Sequence, residues 1–169
     1  MINLNGNWRL GFALDSYYDK NGNHTEIGEY LHKVKYLKAN PNKIIKLLAE
    51  AIKTEYSNYF FDLIICPYGR LSKKLSNGVS DILNIPFDPI VPKFQDEKMK
   101  DIDPKYRQDY IFNLNINYKN ILIIDDFFQT GTTIKSICNS LPSSTFTALA
   151  VVCYDDPNNF YLLKKEEEF

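Results

Sequence analysis

The stretch that most constrains this chain is Ile121-Leu122-Ile123-Ile124-Asp125-Asp126-Phe127-Phe128-Gln129-Thr130-Gly131-Thr132-Thr133. Ile121 to Ile124 is an unbroken apolar run, the pattern of a strand buried on both faces of a parallel sheet. Two carboxylates stand at its carboxyl end. A hydroxyl-rich loop around one glycine follows and opens into Ile134, Ile137, Cys138 and Leu141, which keep the i, i+3, i+4, i+7 spacing of a helix. Strand, loop and helix in that order build an open α/β sheet, where ligands bind in the crevice beyond the carboxyl ends of the strands.

Each part of the stretch carries a chemical expectation. The first turn of a helix offers unpaired N–H groups and a partial positive charge, which suit a phosphate. Gly131 lets the backbone curl close to that anion, and Thr130, Thr132 and Thr133 add hydroxyl donors beside Gln129. Ionised Asp125 and Asp126 only accept hydrogen bonds, so they suit a diol such as the 2′ and 3′ hydroxyls of ribose. A phosphate cradle beside a diol clamp describes a ribose 5-phosphate site. The bland alternative is a buried strand ending in solvated Asp residues and a Thr helix cap. No G-x-x-x-x-G-K-[ST] and no G-x-G-x-x-G occurs, which argues against a P-loop and a Rossmann fingerprint. A receiver-type Asp pair leaves the Thr-Gly-Thr-Thr run unexplained.

The remaining chain supports one α/β domain over 1–169. Trp8 to Leu14 reads as a strand, with Asn21-Gly22 marking a turn and the pieces on either side able to form a hairpin. Ile27, Tyr30, Leu31 and Val34 keep helical spacing. Asn40 and Pro41 start a second helix whose apolar face is Ile44, Leu47, Leu48, Ala51 and Ile52. Phe60 to Cys66 is a further strand, followed by a helix over Leu71–Leu83 that Gly78 interrupts. Pro86 and Pro89 limit Ile85–Val91 to an edge strand. The charged stretch Phe94–Tyr110 reads as a mobile loop, and Phe112, Leu114 and Ile116 alternate as in a half-exposed strand. Thr145 to Val152 forms the last strand. Residues 1–35 are expected to form a small N-terminal element, or hood.

Charge and cysteine usage narrow the function classes. The formal net charge is −1 with no basic block, so nothing favours a nucleic-acid surface. No apolar run approaches the ~20 residues of a membrane span, and the N-terminus lacks the regions of a signal peptide. Cys66, Cys138 and Cys153 are widely spaced within apolar segments and read as buried hydrophobes, in keeping with a cytoplasmic protein. His24 and His32 form no zinc pattern and read as surface or helix-face residues.

Ile121–Thr133 resembles the signature of the type I phosphoribosyltransferases: apolar strand, two acids, two apolar residues, then a Thr-Gly-Thr-type loop. The resemblance implies a central parallel sheet flanked by helices. It also implies that Asp125 and Asp126 hold the ribose hydroxyls of phosphoribosyl pyrophosphate, acting as the catalytic pair, while Gln129–Thr133 bind its 5-phosphate. The loop Tyr68-Gly69-Arg70, leaving the strand at Cys66, would then meet the pyrophosphate, with Arg70 as the side-chain candidate. Mg²⁺ would ride on the pyrophosphate without direct protein ligands. Lys73 and Lys74 read as a solvated helix face, and a cation of the 93–110 loop would act on the leaving group. The likeness is nearest to the ComF-like branch, through Tyr30–Tyr36, the helix over 41–56, the 70–75 stretch and Arg107–Phe112. It lacks that branch's N-terminal zinc module. In purine-salvage members the position of Gln129 is typically an Asp able to act as general base, and an amide cannot take a proton.

The implied activity is transfer of ribose 5-phosphate from phosphoribosyl pyrophosphate to a nitrogen nucleophile. The alternatives are a sensor of that donor or of a nucleotide on the same fold, and a partner-binding protein without ligand. Base specificity depends on the hood, where Trp8, Phe12, Tyr17 and Tyr18 are the aromatic candidates. The oligomeric state is open, a homodimer being the commonest closed assembly.

Overall fold

The computed structural model describes residues 1–90 and 118–156. Its elements run β1 (Ile2–Asn3), β2 (Leu10–Ser16), α1 (Glu26–Tyr36), α2 (Asn42–Glu55), β3 (Leu63–Cys66), α3 (Arg70–Leu83), β4 (Phe87–Pro89), β5 (Asn120–Phe128), α4 (Thr132–Ser140) and β6 (Phe146–Tyr154). The six strands make one sheet in the order β1-β2-β6-β5-β3-β4. Among the described residues only β1 runs antiparallel to its neighbour; the other strand pairings are parallel. The expected α/β class with a central parallel sheet and flanking helices is what the chain adopts.

Both faces of the sheet are covered, which is why its central strands are apolar on both sets of alternating residues. On one face Leu122, Ile124, Ala148 and Ala150 pack with Leu31 of α1, Ile44 and Leu48 of α2, and Leu75 and Val79 of α3. On the other Ile121, Ile123, Leu149 and Val151 pack with Ile134 and Ile137 of α4, Trp8 and Leu4. Gly78 does not break α3. A Cβ there would meet Ile45 of α2 at 2.7 Å, so the glycine sets how closely the two helices approach.

Several boundaries differ from the sequence expectations, each for a reason visible in the pairing. The first long strand lies two residues later than Trp8–Leu14, because Trp8 turns inward and donates its indole N–H to the Leu4 carbonyl at 2.9 Å. It pairs in parallel with β6, so no hairpin forms across Asn21-Gly22; only an isolated bridge joins Tyr18 to His24. β3 begins at Leu63, leaving Phe60 79% exposed. β5 and β6 both run longer than expected, since Asp125, Phe127 and Phe128 pair with Val151, Cys153 and Tyr154. Pro41 takes the cap position of α2 while Asn40 Oδ1 accepts from Asn42 N at 2.9 Å. Among the described residues β4 lies at the sheet edge, in keeping with Pro89 within it and Pro86 just before it. The expected loop at 93–110 and strand at 112–116 lie outside the described residues.

The segment expected as a hood divides in two. Residues 2–16 contribute β1 and β2 to the sheet, and the chain then passes through Tyr17–Thr25 into α1. Thr25 caps α1 by accepting from Gly28 N at 3.0 Å and donates to Ser16 O at 2.7 Å, tying the helix start to the end of β2. Gly28 sits where a Cβ would run into the Tyr17 carbonyl. Gly28→Ala should therefore destabilise the fold by ~1–3 kcal/mol, since backbone cannot move aside as a side chain can. Urea unfolding of the two proteins, read by circular dichroism, measures it.

Candidate functional site

The crevice follows from the strand order. From β3 the chain leaves through α3 to β4, toward one edge of the sheet; from β5 it leaves through α4 to β6, toward the other. The two helices cover opposite faces. The gap between the carboxyl ends of β3 and β5 is thus the switch point at which open α/β sheets bind ligands. Asp125 and Asp126 on β5, the loop 129–131, and the turn Pro67–Gly69 after β3 all stand at these ends.

The carboxylate pair is organised by residues that the sequence did not single out. Ser72, buried on the first turn of α3, lies 2.8 Å from Asp125 Oδ1 and 3.2 Å from Asp126 Oδ1 and donates its one hydroxyl hydrogen between them. Asp125 Oδ1 also accepts from Asp126 N at 2.9 Å. Lys35, from the last turn of α1, pairs with Asp126 Oδ2 at 2.9 Å and lies 5.5 Å from the centre of the Phe127 ring. Burial and the neighbouring Asp126 charge push the Asp125 carboxyl well above its usual range. Burial alone would lower Lys35, but Asp126 outweighs it and holds the ammonium above its ordinary value.

The strand's alternation changes across the acids. Leu122, Ile124 and Phe127 belong to one face, whereas Ile121, Ile123 and Phe128 belong to the other. A strict two-residue period would put Phe127 with Ile123. The acids share the step at which the faces exchange.

The loop that follows ends in an uncapped helix. Gly131 has φ +70°, left-handed backbone, and occupies the cap position of α4 without a side-chain capping bond. Thr130 Oγ1 and Thr132 Oγ1 are 2.9 Å apart, and Thr133 stands on the first turn. A helix start whose N–H groups lack a side-chain acceptor is disposed to bind an anion. Trp8 packs edge-on against Phe128, ring centres 5.6 Å apart, and so buttresses this loop from below. Trp8 and Phe12 are therefore core residues, while Tyr17 and Tyr18 approach the strand ends.

α3 also starts without a side-chain cap: Gly69 is its cap residue, Arg70 its first and exposed residue, and Tyr68 is 67% exposed. Lys73 and Lys74 are exposed, as expected of a solvated face. The structure thus brings 125–133 and 68–70 to neighbouring strand ends, although no side-chain bond is described from Arg70 to the acids.

Beside the pair lies a cavity of about 430 Å³, lined by Tyr17, Tyr18, Leu31, His32, Lys35, Tyr36, Phe127, Gln129 and Asp155. Neither histidine is a simple surface residue. His24 stacks on Tyr18 with ring centres 4.9 Å apart, and His32 Nδ1 lies 3.0 Å from the Tyr17 hydroxyl. Asp155, which the sequence reading passed over, is 4% exposed and accepts from Gln129 Nε2 at 3.4 Å. Burial and Asp156 raise its carboxyl above the ordinary range. The cysteines are free thiols, Cys66 and Cys153 buried, each pushed up to about 12 by desolvation and so inert. Among the described residues no helix is long and apolar enough to cross a membrane.

Compared with protein-family models and with curated proteins, the chain gives no match. Solved structures do resemble it. An adenine phosphoribosyltransferase superposes with a TM-score of 0.53 at 16% identity, over 76% of each chain. A purine phosphoribosyltransferase from Pyrococcus horikoshii Ot3 gives a TM-score of 0.45 at 22% identity, over 68% of this chain and 81% of that one. An adenine phosphoribosyltransferase from Leishmania tarentolae gives 0.49 at 14% identity, over 85% and 80%. The first of these shows the fold, the mostly parallel sheet of the type I phosphoribosyltransferases.

Two substitutions probe the site's electrostatics and strain. Because its native carboxyl is raised, Asp125 costs stability as pH climbs above its unfolded value and throughout the neutral range. Asp125→Asn should raise the thermal midpoint at neutral pH, with no gain at pH well below the ordinary carboxylate range. Gly131→Ala should cost ~1–2 kcal/mol from left-handed backbone alone, and more because the new Cβ meets the Phe128 ring at 2.6 Å. Thermal melts across pH check the first, and denaturant titration the second.

Proposed function

We propose that this protein binds phosphoribosyl pyrophosphate at the switch point and transfers its ribose 5-phosphate group to a nitrogen nucleophile. The observation that carries the reading is the acid pair held by Ser72 and Lys35 at the carboxyl end of β5, followed within a few residues by an uncapped, left-handed-glycine helix start. Asp125 and Asp126 accept from the ribose hydroxyls. The 5-phosphate takes the N–H groups of the first turn of α4 with the hydroxyls of Thr130, Thr132 and Thr133, and Gln129 adds its amide. The pyrophosphate meets the start of α3 at Tyr68, Gly69 and Arg70, where the guanidinium matches phosphate oxygens.

In the transfer, a bond forms between the acceptor nitrogen and C1 of the ribose. The bond from C1 to the pyrophosphate oxygen breaks, its electron pair leaves with the pyrophosphate, and the proton of the acceptor nitrogen goes to the departing pyrophosphate or to water. Positive charge develops at C1, and the nearby carboxylates stabilise it by fixed electrostatics. Were the donor to carry Mg²⁺, the oxygens of Asp125 and Asp126 are hard donors that would hold the ion through its water shell, and the ion would neutralise charge on the leaving group. The ComF-like placement rests on Tyr30–Tyr36, 41–56 and 70–75, which fall on α1, α2 and α3; a homodimer is the assembly proposed with it.

Calorimetric titration with phosphoribosyl pyrophosphate and Mg²⁺ tests the reading. Wild type should bind, and Asp125→Asn with Asp126→Asn should weaken binding by about a hundredfold or more, the loss of two charge-assisted hydrogen bonds. Equal binding by both proteins would overturn the assignment. Binding without turnover on any nucleobase would instead support a sensor.

A further inference from the structure

The cavity beside the acid pair has walls of two kinds. One is aromatic: Tyr17, Tyr36 and Phe127 stand around it, and Lys35 connects it directly to Asp126. Flat rings of this sort suit a planar heteroaromatic ligand. The other is polar and includes Gln129 and Asp155, together with His32 and Lys35. Its hydrogen-bonding character follows from a single contact. A carboxylate only accepts, so the group of Gln129 facing it at 3.4 Å is the amide nitrogen. That orientation turns Oε1 of Gln129 away from Asp155, and no further hydrogen bond to the Asp155 side chain is described. The wall therefore presents the second oxygen of a carboxylate that is 4% exposed, with the amide oxygen and the remaining N–H of Gln129 beside it.

Charge acts in the same direction. Among the described residues the one lysine lining the cavity is committed to Asp126 at 2.9 Å and so is not a free counter-ion for Asp155. An anionic ring would enter against Asp155.

Resting on the reading of the site as a ribose 5-phosphate clamp, we propose that this cavity receives the acceptor ring and selects a neutral nitrogen heteroaromatic that presents an exocyclic amine to Asp155 and Gln129. A ring with a carbonyl at that edge would set acceptor against acceptor and leave a buried carboxylate unsatisfied, which costs more than a missing contact alone. A carboxylated ring is excluded by charge.

Nucleoside 5′-monophosphates test this, because they carry ring and ribose 5-phosphate together. Ribose 5-phosphate itself reads the clamp separately. In calorimetric titrations of wild type, AMP should bind about tenfold more tightly than IMP, and CMP more tightly than UMP, while orotidine monophosphate binds weakest. Asp155→Asn supplies an amide that can donate to a ring carbonyl, so the AMP-to-IMP ratio should fall to unity or invert, and ribose 5-phosphate titrated alongside reads any change passed through Gln129. IMP binding as well as AMP in wild type would overturn the proposal even if ribose 5-phosphate binds. So would a ratio that Asp155→Asn leaves intact. Silence of ribose 5-phosphate and of every nucleotide would overturn the clamp and this inference together. The wild-type series stands whether or not the variant folds, and near-ultraviolet circular dichroism checks that it does.

Discussion

Two adjacent carboxylates stand at the end of a strand that is buried on both faces, and the structure around them is arranged to make that tolerable. Like charges brought together in a low-dielectric place repel strongly and lose hydration. Ser72 supplies one hydrogen between the acids, and Lys35 brings a cation from the far end of α1. The placement of two helices is thereby tied to a single site. α3 must present its first turn to β5, and α1 must lie so that its last turn reaches over Phe127. A residual burden remains in the raised carboxyl of Asp125. Groups held at a cost to stability are characteristic of ligand sites, where a bound partner relieves them.

The N-terminal residues serve this site from two sides. Leu4 and Trp8 pack below the loop 129–131, with Trp8 edge-on to the Phe128 ring that closes against Gly131. Tyr17, Tyr18 and α1 lie above, forming the aromatic cavity. β2 connects the two by pairing with β6, the same strand that flanks β5. A segment that looks featureless as sequence thus spans the site from its support to its roof. Its contribution is positional, and local sequence pattern carries no record of position.

Gln129 illustrates how a residue's meaning changes with its neighbours. Read alone, an amide in place of an acid removes a proton acceptor from the loop. In the folded chain its amide nitrogen faces Asp155, a carboxylate from the end of β6. The acid is present in the site, but it arrives from a different strand. The same holds for Lys35, which by sequence is one of several lysines near the end of a helix and by structure is the counter-charge of Asp126.

The sequence by itself determined the α/β class, the central strand, the acids at its end and the glycine-containing loop into α4. These follow from local rules: apolar runs bury, helices need periodic faces, and left-handed backbone favours glycine. It also placed the second helix start to within one residue, the cap falling on Pro41 in place of Asn40, and the edge position of the proline-bearing strand. Tertiary structure alone decided the rest. It paired β2 with β6 in place of a local hairpin, because a long parallel partner buries more than a two-stranded ribbon in water. It extended β5 through the acids and exchanged its faces there, so that Phe127 joined Leu122 and Ile124. It brought Ser72, Lys35 and Asp155 to the acids and the loop from three separate elements. Those contacts join residues dozens of positions apart, and nothing in the identity of a serine or a lysine encodes the distant carboxylate it will meet.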